Sequence, residues 1–354
     1  MTTGILVHAP NWLGDHIMAW PFYYLLKEVF PETKLHLVGR AWISGIAPDF
    51  FNAIHPLHAK KPDKPLLKNL KLEQFSHSFS LSPSFRSMLL LKKAEIPVRI
   101  GYPTDFRKLL LKYPSQQGSF RIPPYNPFEH RSLSYMRLLT PYFGKEKTAE
   151  DYFSKYTKQK YDIRIAKPDI DSIEKPAGFS FSTKNYWIIC PGSVAPSKIY
   201  PVKHLINIIK MIKAKNPEMK IILIGSSIES QYATQILTGL EDTFRRNIID
   251  LTNQTTLTQA LYILKNARGV IANDSGIAHM SFLSDTPLIT FLGMGRKEET
   301  LALNYKKIVH NLNLSCAPCG KKYCPKTRDK LACLTQISPE SVFQSMQQLD
   351  KSLL

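Results

Sequence analysis

Three stretches combine small, acidic and basic residues in a pattern that could do chemistry, and each follows an apolar run and precedes a helical one. In Pro10-Asn11-Trp12-Leu13-Gly14-Asp15, Gly14 allows a tight turn and Asp15 would project from the start of a helix. A carboxylate there could act as a general base on an attacking hydroxyl, or it could merely cap the helix. In Pro191-Gly192-Ser193-Val194-Ala195-Pro196-Ser197-Lys198, Gly192 and Ser193 would bring backbone N–H groups to a phosphate. Lys198 would add a mobile positive charge there; a solvated surface lysine is the alternative. In Asn273-Asp274-Ser275-Gly276-Ile277-Ala278-His279, a helix N-terminus with small residues would present free N–H donors to a diphosphate. Asp274 would repel that phosphate unless it turned to a sugar hydroxyl or capped the helix, and His279 reads as packed. None of the loops is G-x-G-x-x-G or a Walker A sequence, so a dinucleotide fingerprint and a P-loop are both absent.

A fourth cluster is Cys316, Cys319, Cys324 and Cys333, spaced C-x2-C-x4-C-x8-C among Lys321, Lys322, Lys326, Arg328 and Lys330. Four thiolates could hold a structural Zn²⁺ tetrahedrally; free or paired thiols are the alternative, because only one tight C-x2-C knuckle is present. Cys190, inside the apolar run YWIIC, reads as core.

These loops need rigid supports, and the sequence supplies them. GILVHA (4–9), a helical pattern to about Phe30 and the run Lys34–Gly39 make a βαβ unit, and further runs at Ser76–Ser82 and Val98–Gly101 continue it. Residues 103–130, rich in Pro, aromatic and basic residues, read as a long loop on the working face. A second alternation runs from YWIIC (186–190) through KIILIG (220–225), NIIDL (247–251), Gly269–Ala272 and Leu288–Leu292, with helices between. The predicted fold is α/β: two tandem Rossmann-like doubly wound domains facing a cleft, with ligands beyond the carboxyl ends of the strands. The predicted divisions are an N-terminal domain over 1–172, a linker over 173–184, a C-terminal domain over 185–338 that carries the cysteine segment 316–333, and a final helical piece over 339–354.

The chain has 354 residues, 47 Lys plus Arg against 28 Asp plus Glu, and a formal charge of +19 spread over both halves. That excess favours anionic partners, whether phosphorylated small molecules, a membrane surface or nucleic acid. No RRM, KH or zinc-finger pattern is present, so nucleic acid is not an expected partner. Asp15 interrupts any signal-peptide core, no run reaches the ~18 apolar residues of a membrane span, and five cysteines make no secreted disulfide framework. A cytosolic protein is expected.

Taken together, NWLGD, PSFRS with IPVRIGY (83–87 and 96–102), PGSVAPSKIYP, NDSGIAH and CAPCGKKYCP, in this order and spacing, resemble the lipopolysaccharide heptosyltransferases, most of all the heptosyltransferase II branch. The likeness runs from about residue 4 to residue 345. It implies a GT-B architecture and inverting, metal-independent transfer of heptose from ADP-heptose to the inner core of lipopolysaccharide. The acceptor would be phosphorylated Kdo-lipid A or a heptosylated inner core, reached from the cytoplasm at the anionic inner leaflet of the inner membrane. It further implies Asp15 as the base, Ser193, Lys198, Asp274, Ser275 and Gly276 at the donor, and Glu229 at the nucleotide ribose or sugar. Asn11, Gly14, Ser84 and Arg86 fall on the acceptor side. The chain departs from the family pattern in having Tyr200 where a Trp usually precedes the proline, and in its basic stretch Lys60–Lys71. Two other readings stay open: a GT-B enzyme using another nucleotide sugar, and a non-catalytic binder of anionic glycolipid. The single D-x-D, Asp169-Ile170-Asp171, lies away from the three loops, so no metal site is expected at the diphosphate.

Overall fold

The computed structural model describes residues 4–59, 62–114, 122–144, 146–161, 169–177, 179–182 and 184–353. Two compact units divide the chain, 1–164 and 165–354. Lys60 and Lys61, the first cations of the basic stretch, lie outside the described residues.

The first unit is built on β1 (Ile5–His8), β2 (Leu35–Arg40), β3 (Ala53–Leu57), β4 (His77–Ser80) and β5 (Val98–Ile100), all parallel, in the order β3-β2-β1-β4-β5. A central parallel strand is covered on both faces, which is why β1 is apolar almost throughout and fully buried. The helical pattern after β1 is two helices, α1 (Leu13–Met18) and α2 (Trp20–Val29), because Pro21 sits in the first turn of the second. Then come α3 (Lys64–Leu72), opened by an Asp63 cap, α4 (Phe85–Lys93), α5 (Arg131–Arg137) and α6 (Ala149–Lys158). The long loop expected over 103–130 is partly ordered: Asp105–Leu109 is a 3-10 turn and Arg99 bridges Lys112. Residues 115–121 lie outside the described set.

The second unit orders β6 (Tyr186–Cys190), β7 (Lys220–Leu223), β8 (Ile248–Asp250), β9 (Gly269–Asn273), β10 (Leu288–Phe291) and β11 (Lys307–His310) as β11-β10-β9-β6-β7-β8, again all parallel. Its helices are α7 (Val202–Lys215), α8 (Ser227–Thr238), α9 (Asp242–Arg245), α10 (Leu257–Lys265), α11 (Gly276–Ser284), α12 (Lys297–Thr300), α13 (Ala332–Thr335) and α14 (Pro339–Leu349). Val342, Phe343 and Met346 of α14 enter the core over α7, and Asp350 accepts from Trp187 Nε1 at 2.9 Å and pairs with Arg268 at 3.1 Å. The final helical piece is thereby part of this unit's core. In the segment expected as a linker, Phe181 is buried against Tyr186, and just before it Asp169 O accepts from Gln259 of α10 at 2.7 Å.

Each sheet has one place where consecutive connections leave in opposite directions: between β1 and β4, and between β6 and β9. The loops that follow these strands open a crevice at the carboxyl edge, where doubly wound sheets bind ligands. All three chemistry-bearing loops lie there.

Candidate active site

In the first unit, Trp12 caps α1 through its backbone and makes no side-chain cap bond, so Asp15 is inside the first turn and is not the helix cap. Asp15 is half-buried. The fully buried Tyr135 phenol has its pKa held well above the ordinary tyrosine range, first by burial and next by the charge of Asp15, with Arg131 opposing. Asp15 therefore sits in a field shared with a buried hydroxyl and a guanidinium.

Across the β1/β4 crevice, Asn11 Nδ2 donates to Ser82 Oγ at 2.8 Å. Ser84 caps α4, accepting from the Arg86 N–H at 3.2 Å. Asn11, Ser84 and Arg86 line a pocket of about 140 Å³ together with His8, Arg40 and Leu57. Burial pushes His8 down to about 4, so that ring is neutral near pH 7, and among the described residues no Asp or Glu lines the pocket. Among the described residues neither Arg40 nor Arg86 has a carboxylate partner. The result is a small cavity with two unneutralised guanidiniums, suited to an anionic group. Arg40 had no sequence signal; it enters only because β2 ends beside β1.

In the second unit, the lysine loop and the β9–α11 turn meet. Lys198 Nζ lies 2.6 Å from Asp274 Oδ2, and His279 Nε2 lies 3.9 Å from Asp274 Oδ1. Lys198 is accordingly not a solvated surface lysine: its side chain is 24% exposed and that of Asp274 only 9%. Ser275 is the N-cap of α11 but makes no side-chain cap bond, and its buried Oγ finds no conventional partner. It lies beside the Cys190 thiol, which burial, reinforced by the Glu229 charge, pushes up to about 12 against the opposing Ser275 contact. Gly276 opens the helix, and Ser193 is buried in the facing loop.

Asn273, 1% exposed, opens the third loop in the sequence but has no role assigned to it there; it is the last residue of β9. Its Nδ2 donates to Gly192 O at 3.1 Å and its Oδ1 accepts from the Tyr200 N–H at 2.9 Å. One side chain thus staples both ends of the segment that carries Ser193 and Lys198. Tyr200 is itself fixed: its ring stacks on Phe291 at 4.0 Å and its hydroxyl donates to Ile337 O at 2.9 Å. The aromatic before the proline is a core anchor.

Glu229 is 7% exposed, and its Oε2 accepts from Ser226 N at 2.7 Å and Ser226 Oγ at 2.6 Å in a capping box at the start of α8. The S-x-x-E pattern was the readable signal for that. Its Oε1 points at Gly192, where an added Cβ would come within 2.9 Å of Glu229 Cγ; close approach is why glycine stands there.

The four cysteines of 316–333 are free. Burial raises the Cys333 pKa, helped by the charges of Cys316, Cys319 and Cys324, while two backbone N–H groups lower that of Cys324. Among the described residues no three His, Cys, Asp or Glu side chains are grouped as a metal ion would require, and of the two readings of this segment the structure has the thiols free. The segment instead buttresses the lysine loop: Ser197 Oγ lies 2.5 and 2.9 Å from the carbonyls of Lys321 and Lys322, and Ser197 N donates to Lys322 O at 3.2 Å. The D-x-D pair is also occupied structurally. Asp169 Oδ1 accepts from Ser172 N, and Asp171 pairs with Lys175.

A sequence profile described as "Glycosyltransferase family 9 (heptosyltransferase)" matches residues 64–329. The lipopolysaccharide heptosyltransferase 2 of Salmonella typhimurium is 24% identical over 318 residues, covering 87% of this chain and 88% of that protein. The lipooligosaccharide heptosyltransferase 2 of Campylobacter jejuni serotype O:6 is 23% identical over 354 residues, 98% of both chains. The solved structure of E. coli ADP-heptose lipopolysaccharide heptosyltransferase II superposes with a TM-score of 0.73 at 22% identity and 98% coverage of both chains. That of E. coli heptosyltransferase WaaC with ADP superposes with a TM-score of 0.66 at 14% identity, covering 98% of this chain and 100% of that one. With three quarters of its length matched by the profile, the chain belongs to glycosyltransferase family 9, the heptosyltransferases.

Proposed function

We propose that this enzyme transfers heptose from ADP-heptose to a phosphorylated or heptosylated inner-core acceptor of lipopolysaccharide, with inversion and without a catalytic divalent metal. The observation that carries the reading is the Lys198–Asp274 pair at the N-terminus of α11. A departing diphosphate needs positive charge as its leaving bond breaks. Lys198 supplies it, joined by the N–H groups of the first turn of α11 and the Ser275 hydroxyl. Asp274 holds the ammonium ready while the site is empty. When the diphosphate draws Lys198 away, the carboxylate is freed to accept from sugar hydroxyls. Glu229, through Oε1, is assigned to the nucleotide ribose.

Asp15 takes the proton of the attacking acceptor hydroxyl, and attack from the face opposite the diphosphate gives inversion. Arg40 and Arg86, with Asn11 and Ser84, hold an anionic group of the acceptor; Gly14 keeps the approach to Asp15 open. No described helix is long and apolar enough to cross a membrane, and the reading places the enzyme in the cytoplasm, at the inner leaflet that presents its acceptor.

The test is a mass-spectrometric screen of sugar nucleotides against a truncated inner-core acceptor. A heptose mass increment with ADP release supports the reading. An increment from another nucleotide sugar changes the donor, and binding without turnover of any donor would make the protein a binder.

A further inference from the structure

Beyond the reaction site, the 3-10 turn Asp105–Leu109 carries two large apolar side chains in water: Phe106 is 76% exposed and Leu109 72%. With three residues per turn, positions three apart share a side, so the two project together. The turn is firmly held. Arg107, 4% exposed, donates from Nη1 to Ser82 O at 3.0 Å and from Nε to Thr104 O at 3.2 Å. Leu110 is buried in the core of the first unit, and Lys112 exchanges backbone hydrogen bonds with Arg99 at 2.7 and 3.0 Å. Lys108 and Lys112 flank the apolar pair and are exposed.

We infer that this turn is a wedge that seats the enzyme on an anionic lipid surface, Phe106 and Leu109 entering the headgroup–acyl boundary while Lys108 and Lys112 meet the lipid charge. Charge selects the occupant. A second copy of a chain with formal charge +19 would be repelled by Lys108 and Lys112, whereas an anionic bilayer satisfies both the apolar and the cationic half of the turn. Rigidity gives the wedge its use: Arg107 grips the backbone of Ser82, and the Ser82 hydroxyl accepts from Asn11 Nδ2 at 2.8 Å and from Ser84 N at 3.3 Å. The side chains that enter lipid are thus tied through one serine to the pocket assigned to the acceptor. The inference rests on the proposed lipid-linked acceptor for its purpose, but its test does not.

The experiment is flotation of the full-length protein with phosphatidylcholine vesicles, with and without one third phosphatidylglycerol. Wild type should float with the anionic vesicles and release in high salt. Phe106→Ser with Leu109→Ser should lower partitioning about tenfold at unchanged Tm, both side chains being solvent-exposed. Lys108→Glu with Lys112→Glu should lower it comparably and abolish the salt dependence. Transfer to a water-soluble, delipidated acceptor should be the same in wild type and the serine variant. The inference is overturned if wild type ignores anionic vesicles or the serine variant floats like wild type. It is equally overturned if light scattering finds a wild-type dimer that the serine variant dissociates. Absence of heptose transfer by wild type would sink the activity reading, and the vesicle result would still decide this one.

Discussion

Replacing Asn273 by alanine tests whether the proposed donor site depends on the geometry of its loop. The substitution removes the donor to Gly192 O and the acceptor for the Tyr200 N–H, and Tyr200 is fully buried, so its amide is left without a partner. An unmet buried polar group costs ~1–3 kcal/mol, which lowers Tm by roughly 2–9 °C at ~2–3 °C per kcal/mol in a unit of this size. The more informative quantity is the coupling to Lys198. A charge-assisted contact to phosphate is worth ~1.5–3 kcal/mol, so Lys198→Ala should weaken ADP binding about 10- to 150-fold. If Asn273 acts by placing Lys198, Asn273→Ala should weaken ADP binding about tenfold in the wild-type background and less than about twofold in Lys198→Ala. Calorimetric titration of ADP into the four proteins of the cycle measures this, with Tm followed in parallel. Equal losses in both backgrounds would refute the positioning role and leave Asn273 as a stabilising staple. Unchanged ADP affinity in Lys198→Ala would instead remove the lysine from the donor site.

Asp15→Asn should lower kcat by at least ~10²-fold with little change in ADP affinity, read by ADP release; near wild-type turnover would deny it the role of base. Transfer should survive EDTA, and loss restored by Mg²⁺ or Mn²⁺ would require Asp274 to be reassigned as a metal ligand. His8 and His16 are buried with pKa values lowered from 6.5 to about 4, chiefly by burial. Because the unfolded chain binds protons that the folded one refuses, this contribution is complete above pH 6.5 and is lost as the pH falls toward 4, by up to about 3 kcal/mol per ring. A Tm that stays flat between pH 7 and 4.5 would contradict it.

The main sheets were legible because parallel strands buried on both faces write themselves as apolar runs, as YWIIC does for β6. Two of the four edge strands, β3 and β11, did not. β3 contains a proline and an exposed position, and β11 is half-buried throughout, so neither carries a continuous signal. The helix α6 was hidden in a segment that looks polar, since only Ala149, Tyr152 and Tyr156 face inward; its T-x-x-D capping box was the available clue. The chemistry-bearing loops were readable by residue type, but their partners were not, because those come from strands distant in sequence: Arg40 from β2, Asn273 across to Gly192, and Ser197 onto the cysteine segment.

The two crevices share one construction. In each unit the two strands at the switch point are followed by loops that a single asparagine joins: Asn11 reaches from the β1 side to Ser82 after β4, and Asn273 reaches from the end of β9 to Gly192 after β6. An amide suits this task because it donates and accepts without charge, leaving the electrostatics to its neighbours. Those neighbours differ. Beside Asn11 stand two guanidiniums that have no carboxylate partner among the described residues; beside Asn273 stands a cation already balanced by Asp274. Under the proposed function, the carboxylate that would repel a phosphate is what holds the Lys198 ammonium in place before the diphosphate arrives. Asp274→Asn should accordingly leave the lysine charged but unaimed, and lower kcat more than it lowers ADP affinity.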